Sequence, residues 1–285
     1  MSPLATHIST VQSEADSLTQ FLETLSADDW ERPSACKRWT IRDVASHIVW
    51  AMTYYADAIS RGLQGDDSHL PDRPPGDAPA APPELSEYFY QQAINTRNRL
   101  GDDPMPALRS SLQALINLMA RLSPEQWEMS CAFYAFIRNT CPAHVFLALA
   151  IQELAIHGWD IRSRFDKSAT ISEPALALLM ERIVARASFL TQPISIDPQV
   201  LVRYRFDFGA DSALRYDLIM EGGKDRMEQA ADSQADVTLY CDRTTFALLL
   251  FDRFRLDSAL AQGRVMIVGD ESLARVLGQN LRPYV

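Results

Sequence analysis

The stretch Ile151-Gln-Glu-Leu-Ala-Ile-His-Gly-Trp-Asp-Ile161 constrains this 285-residue chain more than any other. Helix formers and apolar residues extend it in both directions, over residues 143–165. On a helix, residues four apart lie one above the other, so Glu153 and His157 share a face. Asp160 and Arg164 continue that stripe, each within about 20° of Glu153 around the axis. The other faces carry Val145, Leu149, Ala150, Leu154, Ala155 and Ile161. A carboxylate buried without a partner is expensive. Glu153 therefore needs an ion pair, a hydrogen-bond network or a cation. Taken alone, Glu-x-x-x-His also fits an acid paired with an arginine beside a packed core histidine.

Composition closes off several classes of function. The net charge is −10 and the isoelectric point about 5.0. Such a surface repels phosphate backbones and anionic lipid, so neither nucleic acid nor a membrane is an expected partner. No apolar run approaches a membrane span of roughly 20 residues. Residues 1–10 lack the charged-then-apolar layout of an export signal, and a cytoplasmic location is the expectation. The four cysteines (Cys36, Cys131, Cys141 and Cys241) are scattered, which in that compartment implies reduced thiols. The expected partner is a small molecule, with a monomer or a homodimer both open.

Along the chain, Ile8, Val11, Ala15, Leu18, Leu22 and Leu25 recur at helical intervals and predict a first helix over 6–25. Ser26-Ala-Asp-Asp-Trp30 reads as a polar turn. Thr40-Ile-Arg-Asp43 resembles a capping box and opens a second helix to about residue 61. Val44, Ala45, Ile48, Val49 and Met52 suit its core side, while Thr40, Asp43, His47, Ala51 and Tyr54 share another face. Residues 62–83 hold six prolines and read as a long loop, either an insert or a wall over a pocket. Further helices are expected over 84–100, 106–122 and 173–190, and Pro142 is placed to open the helix that carries Glu153. Ser123-Pro-Glu-Gln-Trp127 echoes Ser26-Ala-Asp-Asp-Trp30, a repeat that suits a four-helix bundle. Beyond residue 193 the period changes. Val200, Val202, Tyr204, Phe206 and Phe208 alternate with Arg203, Arg205 and Asp207, which marks a half-buried strand. Strands over 214–220, 235–241 and 265–268, a Gly222-Gly223 turn, and helices over 244–254, 256–262 and 271–280 complete the reading. The expectation is an all-α four-helix bundle over residues 1–192 and a smaller α+β domain over 193–285.

In a bundle, metal sites form from inward side chains of facing helices. His47 on the second helix, with Glu153 and His157 on the fourth, offers two imidazoles and one carboxylate. Three protein ligands and an open position is the layout of a catalytic zinc or similar site. Asp160 can either orient His157 or pair with Arg164. Cys36 precedes a helix N-terminus, which favours a thiolate, yet it also reads as a structural thiol. No glycine-rich phosphate loop follows a strand, which argues against nucleotide binding.

The segments Cys36-Lys-Arg-Trp-Thr-Ile-Arg-Asp-Val-Ala-Ser-His47 and Glu153-Leu-Ala-Ile-His-Gly-Trp-Asp160 make the first domain similar to the DinB-like metal-binding bundles. Within these, it resembles the mycothiol-dependent maleylpyruvate isomerases. That resemblance implies that His47, Glu153 and His157 bind a divalent metal, zinc first, with nickel or another ion as the alternative. It also implies mycothiol or another low-molecular-weight thiol as cofactor. The stretches from Ala235 to Tyr240 and from Ala261 to Asp270 resemble the SCP2-like fold. In the isomerases an arginine of the C-terminal domain takes part in catalysis, and Arg264 is the match here. Tyr54, on the His47 face, could also meet the substrate, or serve as a core aromatic. The implied activity is a metal-dependent isomerase or S-transferase acting on a small electrophile. The alternatives are an apolar-ligand binding protein with a structural or vestigial metal, and a biosynthetic metalloenzyme that uses no thiol.

Overall fold

The computed structural model describes residues 3–68, 82–133, 140–185, 201–209, 214–222, 224–231 and 233–280. The chain divides into two compact units, Met1–Leu178 and Leu179–Val285. The expected boundary at 192/193 lies outside the described residues.

The first unit is helical. Its long elements are α1 (Pro3–Leu22), α3 (Ile41–Gly62), α4 (Pro82–Leu100), α5 (Met105–Met119) and α6 (His144–Arg162), with a one-turn α2 (Ala27–Trp30) after α1. Helix α1 packs on α6, α6 on α3, α3 on α5, and α5 on α1. These four helices therefore enclose one core, and α4 packs chiefly against α3. The interior is continuous: Leu18, Ile41, Ile48, Met52, Leu108, Phe146 and Leu154 are fully enclosed. Helix α6 is buried on nearly every face, as its composition requires. The helix α7 (Glu173–Ala185) follows, and residues 186–190 of the expected helix lie outside the described set.

The expected helix starts hold where local chemistry dictates them. Thr40 caps α3 with the reciprocal bonds of a capping box: the Asp43 N–H donates to the Thr40 hydroxyl at 3.2 Å, and the Thr40 N–H donates to Asp43 Oδ2 at 2.8 Å. The two serine–tryptophan segments share the same device. Ser26 exchanges such bonds with Asp29, and Ser123 exchanges them with Gln126. The segment 26–30 is therefore a capped helical turn rather than a bare polar turn, and both Trp30 and Trp127 are buried behind their caps.

Pro142 requires a correction. It does not open α6 but ends a strand. Strands β1 (Ser130–Ala132) and β2 (Thr140–Pro142) form an antiparallel hairpin in which Cys131 faces Cys141. Strands of three residues leave no periodic signal. The hairpin packs on α3 because Gly62 leaves room. A Cβ there would stand 2.8 Å from Cys131 Sγ and 2.9 Å from the Ser130 carbonyl oxygen. The expected loop at 62–83 falls mostly on residues 69–81, outside the described set. Among the described residues no helix is long and apolar enough to cross a membrane.

The second unit holds a five-stranded sheet: β3 (Val202–Asp207), β4 (Arg215–Glu221), β5 (Lys224–Gln229), β6 (Val237–Tyr240) and β7 (Met266–Gly269), ordered β5-β4-β3-β6-β7. Only β3 and β6 run parallel. Helices α8 (Arg243–Leu250), α9 (Leu256–Ala261) and α10 (Glu271–Asn280) accompany the sheet. Strand β5 was not expected. Its only buried residue is Met227, and as an edge strand it is defined by pairing with β4 rather than by its own pattern. The alternation read in β3 is present. Val202, Tyr204 and Phe206 are buried, and the Phe206 ring meets Phe246 of α8 at 4.5 Å.

The opposite face of β3 is charged. Arg205 stands in register with Asp217 of β4. Arg203 donates to Asp217 Oδ2 at 2.8 Å, and Arg205 donates to Oδ1 at 2.8 Å and Oδ2 at 2.9 Å. Burial alone would raise the Asp217 carboxyl, but the two guanidinium groups outweigh it and hold it below its ordinary value. Its stabilising contribution is therefore present above the ordinary carboxylate pKa, about 3.9, and is lost as pH falls through the depressed folded value. Asp217→Ala leaves two arginines facing each other and should destabilise the sheet by about 3 kcal/mol at pH 7. All five tryptophans precede residue 160. Amide exchange of the β3 and β4 peptides, not tryptophan emission, is therefore the measurement. The gap between wild type and variant should narrow as pH drops below about 4.

Candidate metal centre

The segment ahead of α3 positions the first histidine. The Ile41 N–H donates to the Arg32 carbonyl, the Ser34 N–H to the Trp39 carbonyl, and the Ala35 N–H to the Asp160 carbonyl at 2.9 Å. The loop 31–40 is thus closed at its base and tied to α6. Arg38 turns the chain with φ 72°, and this delivers Trp39 inward, buried. The Asp43 carboxylate that caps α3 also accepts from Arg97 of α4 at 3.1 Å. Helices α3, α4 and α6 are thereby fixed around one point, with His47 a little over one turn beyond Asp43.

At that point His47, Glu153 and His157 come together. His47 Nε2 lies 3.0 Å from Glu153 Oε2, and His157 Nε2 lies 3.2 Å from the same oxygen. One ligand atom from each of the three lies within 4.8 Å of the others. The imidazole centroids are 4.9 Å apart and nearly perpendicular. His157 Nδ1 faces Asp160 Oδ2 at 2.8 Å, so Nε2 is the nitrogen turned toward Glu153. Of the two partners the sequence allows Asp160, His157 is one it contacts. Tyr55 places its hydroxyl 3.4 Å from Glu153 Oε1.

The electrostatics follow from this geometry. Burial alone would raise the Glu153 carboxyl, but the hydrogen bonds and charge of His157 and His47 override it and hold it well below the usual carboxylate range. Burial also opposes a positive His157. Asp160 and Glu153 face its two nitrogens, outweigh that, and raise its pKa. Two imidazoles pointed at one carboxylate oxygen form a donor set of the composition that zinc and its neighbours take. Asp160 supplies the carboxylate–histidine contact that fixes the tautomer in such sites.

Other residues singled out in the sequence are placed as follows. The Tyr54 hydroxyl donates to the Ala132 carbonyl at 3.3 Å, and its ring lies parallel to Trp50; the adjacent Tyr55 is the tyrosine that reaches Glu153. Cys36 is half-buried, and its Sγ lies within 4.8 Å of ligand atoms of His157 and Asp160. Arg264, in the second unit, donates to Gln262 at 3.2 Å and lies over the Phe254 ring.

Sequence reasoning gave no role to Trp39, whose ring centroid lies 4.7 Å from His47 and 5.6 Å from His157. It also passed over Trp50, stacked on His47 at 5.7 Å. Trp50 follows His47 by three positions, so helical spacing could have found it. Trp39 depends on loop closure and could not be found that way.

Comparisons with known proteins agree with this architecture. Residues 11–162 match the family model of the mycothiol maleylpyruvate isomerase N-terminal domain, and residues 203–282 match that of the SCP-2 sterol transfer family. Two crystal structures of the mycothiol-dependent maleylpyruvate isomerase are similar in fold at 16% identity. One, a histidine-to-alanine mutant, has a TM-score of 0.62 and covers 93% of this chain and 92% of its own. The other has a TM-score of 0.59 and covers 88% and 90%. No curated protein matches the sequence. With just over half of its length matched by that N-terminal domain, the chain belongs to the mycothiol maleylpyruvate isomerase family and carries an SCP2-like, sheet-containing C-terminal unit.

Proposed function

We propose that this protein is a divalent-metal-dependent enzyme that uses a low-molecular-weight thiol, mycothiol by family, to isomerise or conjugate a small electrophile. The observation that carries the reading is the convergence of two imidazole Nε2 atoms, from α3 and α6, on a single Glu153 oxygen. In this proposal α1, α3, α5 and α6 are a DinB-like four-helix bundle, and His47, Glu153 and His157 hold the ion, zinc first.

A divalent ion held there supplies Lewis acidity, which makes a thiol available as the thiolate near neutral pH. The chain's own residues do the rest. Asp160 keeps His157 Nδ1 occupied, so that Nε2 stays inward. Tyr55 reaches the other Glu153 oxygen and steadies its orientation. Trp39 lies against both imidazoles and keeps water off that side. The thiol sulfur adds to an activated double bond of the substrate. As the carbon–sulfur bond forms, the π electrons move onto the activating carbonyl; rotation about the new single bond and return of those electrons expel the thiolate and give an isomer, whereas protonation of the adjacent carbon with the sulfur retained gives a conjugate. Tyr54 and Arg264 complete the proposal as the two groups assigned to meet substrate. The SCP-2 match over 203–282 favours a second role for the C-terminal unit, the holding of an apolar ligand.

Zinc titration of chelator-treated protein should show about one equivalent per chain. His47→Ala and His157→Ala should abolish that uptake, and Asp160→Asn should weaken it about 10- to 100-fold. Uptake unchanged in His47→Ala would show that the ion is held elsewhere.

Mycothiol-dependent turnover of maleylpyruvate is the second measurement. It should vanish on chelation and return with added zinc. Metal uptake with no turnover of any thiol-reactive substrate would favour a metalloenzyme that uses no thiol.

A further inference from the structure

A second trio of donors adjoins the first. His157 turns Nε2 toward Glu153 and Nδ1 toward Asp160. Cys36 joins the latter pair: one ligand atom from each of Cys36, His157 and Asp160 falls within 4.8 Å of the other two. Asp160 is fully enclosed and His157 is buried. Cys36 is half-buried and is in no disulfide.

The thiol is delivered by a closed loop. The Ala35 N–H donates to the Asp160 carbonyl at 2.9 Å, and the Trp39 N–H donates to the Cys36 carbonyl at 3.2 Å. The Cys36 N–H donates to Ser34 Oγ at 3.1 Å. The backbone on both sides of Cys36 is therefore fixed against the turn of α6 that carries Asp160. His157 Nδ1 and Asp160 Oδ2 are 2.8 Å apart. That is close to the separation of neighbouring ligands on one ion with bonds of about 2.1 Å.

The two trios differ in softness. His47, Glu153 and His157 offer nitrogen and oxygen alone. Cys36 adds sulfur to the second trio, and a thiolate shifts preference toward soft cations. The trios also share one ring. Asp160 cannot hold the His157 N–H for an ion at Nε2 and at the same time share an ion with Nδ1. Loading one trio therefore works against the other.

We propose that Cys36, His157 and Asp160 form a second cation position, selective for a soft thiophilic divalent ion, whose occupation displaces the ion held by His47, Glu153 and His157. Only the displacement rests on the proposed function; the binding stands on the second trio by itself.

Cadmium and zinc salts are the probes, added to the full chain after chelator treatment. Cadmium should bind at about one equivalent per chain and bring up the ultraviolet thiolate-to-cadmium band. Cys36→Ser should abolish the band and lower the cadmium-to-zinc affinity ratio at least about tenfold, with zinc uptake within about threefold of wild type. His47→Ala should do the reverse, keeping the band while zinc uptake is lost. Glu153→Gln is a second variant that leaves the soft trio whole, and it should keep the band too. About one equivalent of cadmium should release zinc from the zinc-loaded wild type, whereas Cys36→Ser should need at least about tenfold more.

No band in the wild type, or a band that survives Cys36→Ser, overturns the proposal. So does a band lost in both His47→Ala and Glu153→Gln, or zinc uptake that collapses in Cys36→Ser, since the thiol would then serve the first centre. Cadmium binding that leaves the zinc in place overturns the displacement. A band in a wild type that takes up no zinc leaves the second position standing and removes the first centre; zinc uptake without any band does the opposite.

Discussion

A single half-buried carboxylate organises the helical unit. Glu153 sits within α6, a helix enclosed on almost every face, where an unpaired charge would cost several kcal/mol. The fold answers with two imidazoles, one from its own helix and one from α3, and with Asp160 behind the nearer of them. This arrangement dictates how α3 and α6 approach one another. The capping box of α3, the Arg97 contact to Asp43 and the closed loop 31–40 all serve to hold His47 in that register. Removing one member leaves the others as unbalanced buried charge, so the group behaves as a unit rather than as separable contacts.

The sheet unit solves a comparable problem with different parts. Asp217 is fully enclosed and is balanced by Arg203 and Arg205 rather than by imidazoles. Guanidinium groups stay charged at every working pH and offer several donors, which suits a permanent structural tie. Imidazoles change charge near neutrality and, in neutral form, can ligate a metal, releasing the proton to solvent. The choice of cation therefore separates the purely architectural charge cluster from the one with chemical potential.

Much of the candidate centre was legible in the sequence because its geometry is local. Four-residue spacing puts Glu153 and His157 on one face regardless of tertiary detail, and Thr40 with Asp43 fixes where α3 begins. Period two likewise disclosed β3. What escaped depends on distant partners. Strand β5 has one buried side chain and exists through β4. The β1–β2 hairpin is too short for any period, and its Pro142 mimicked a helix start. Trp39 reaches the imidazoles because the Ala35 amide bonds to Asp160, some 125 residues away in sequence. Tyr55 reaches Glu153 because it stands about 100° around α3 from Tyr54, a rotation finer than an apolar stripe can resolve.

The placement of Trp39 also equips the centre with its own optical sensor. An indole whose ring centroid lies 4.7 Å from one imidazole and 5.6 Å from the other experiences any change in their charge or occupancy directly. The sheet unit contributes no indole to the background. Loading of the three-residue cradle can thus be followed through native emission, in unlabelled protein and in real time, with each of the four remaining indoles removable in turn to isolate the signal.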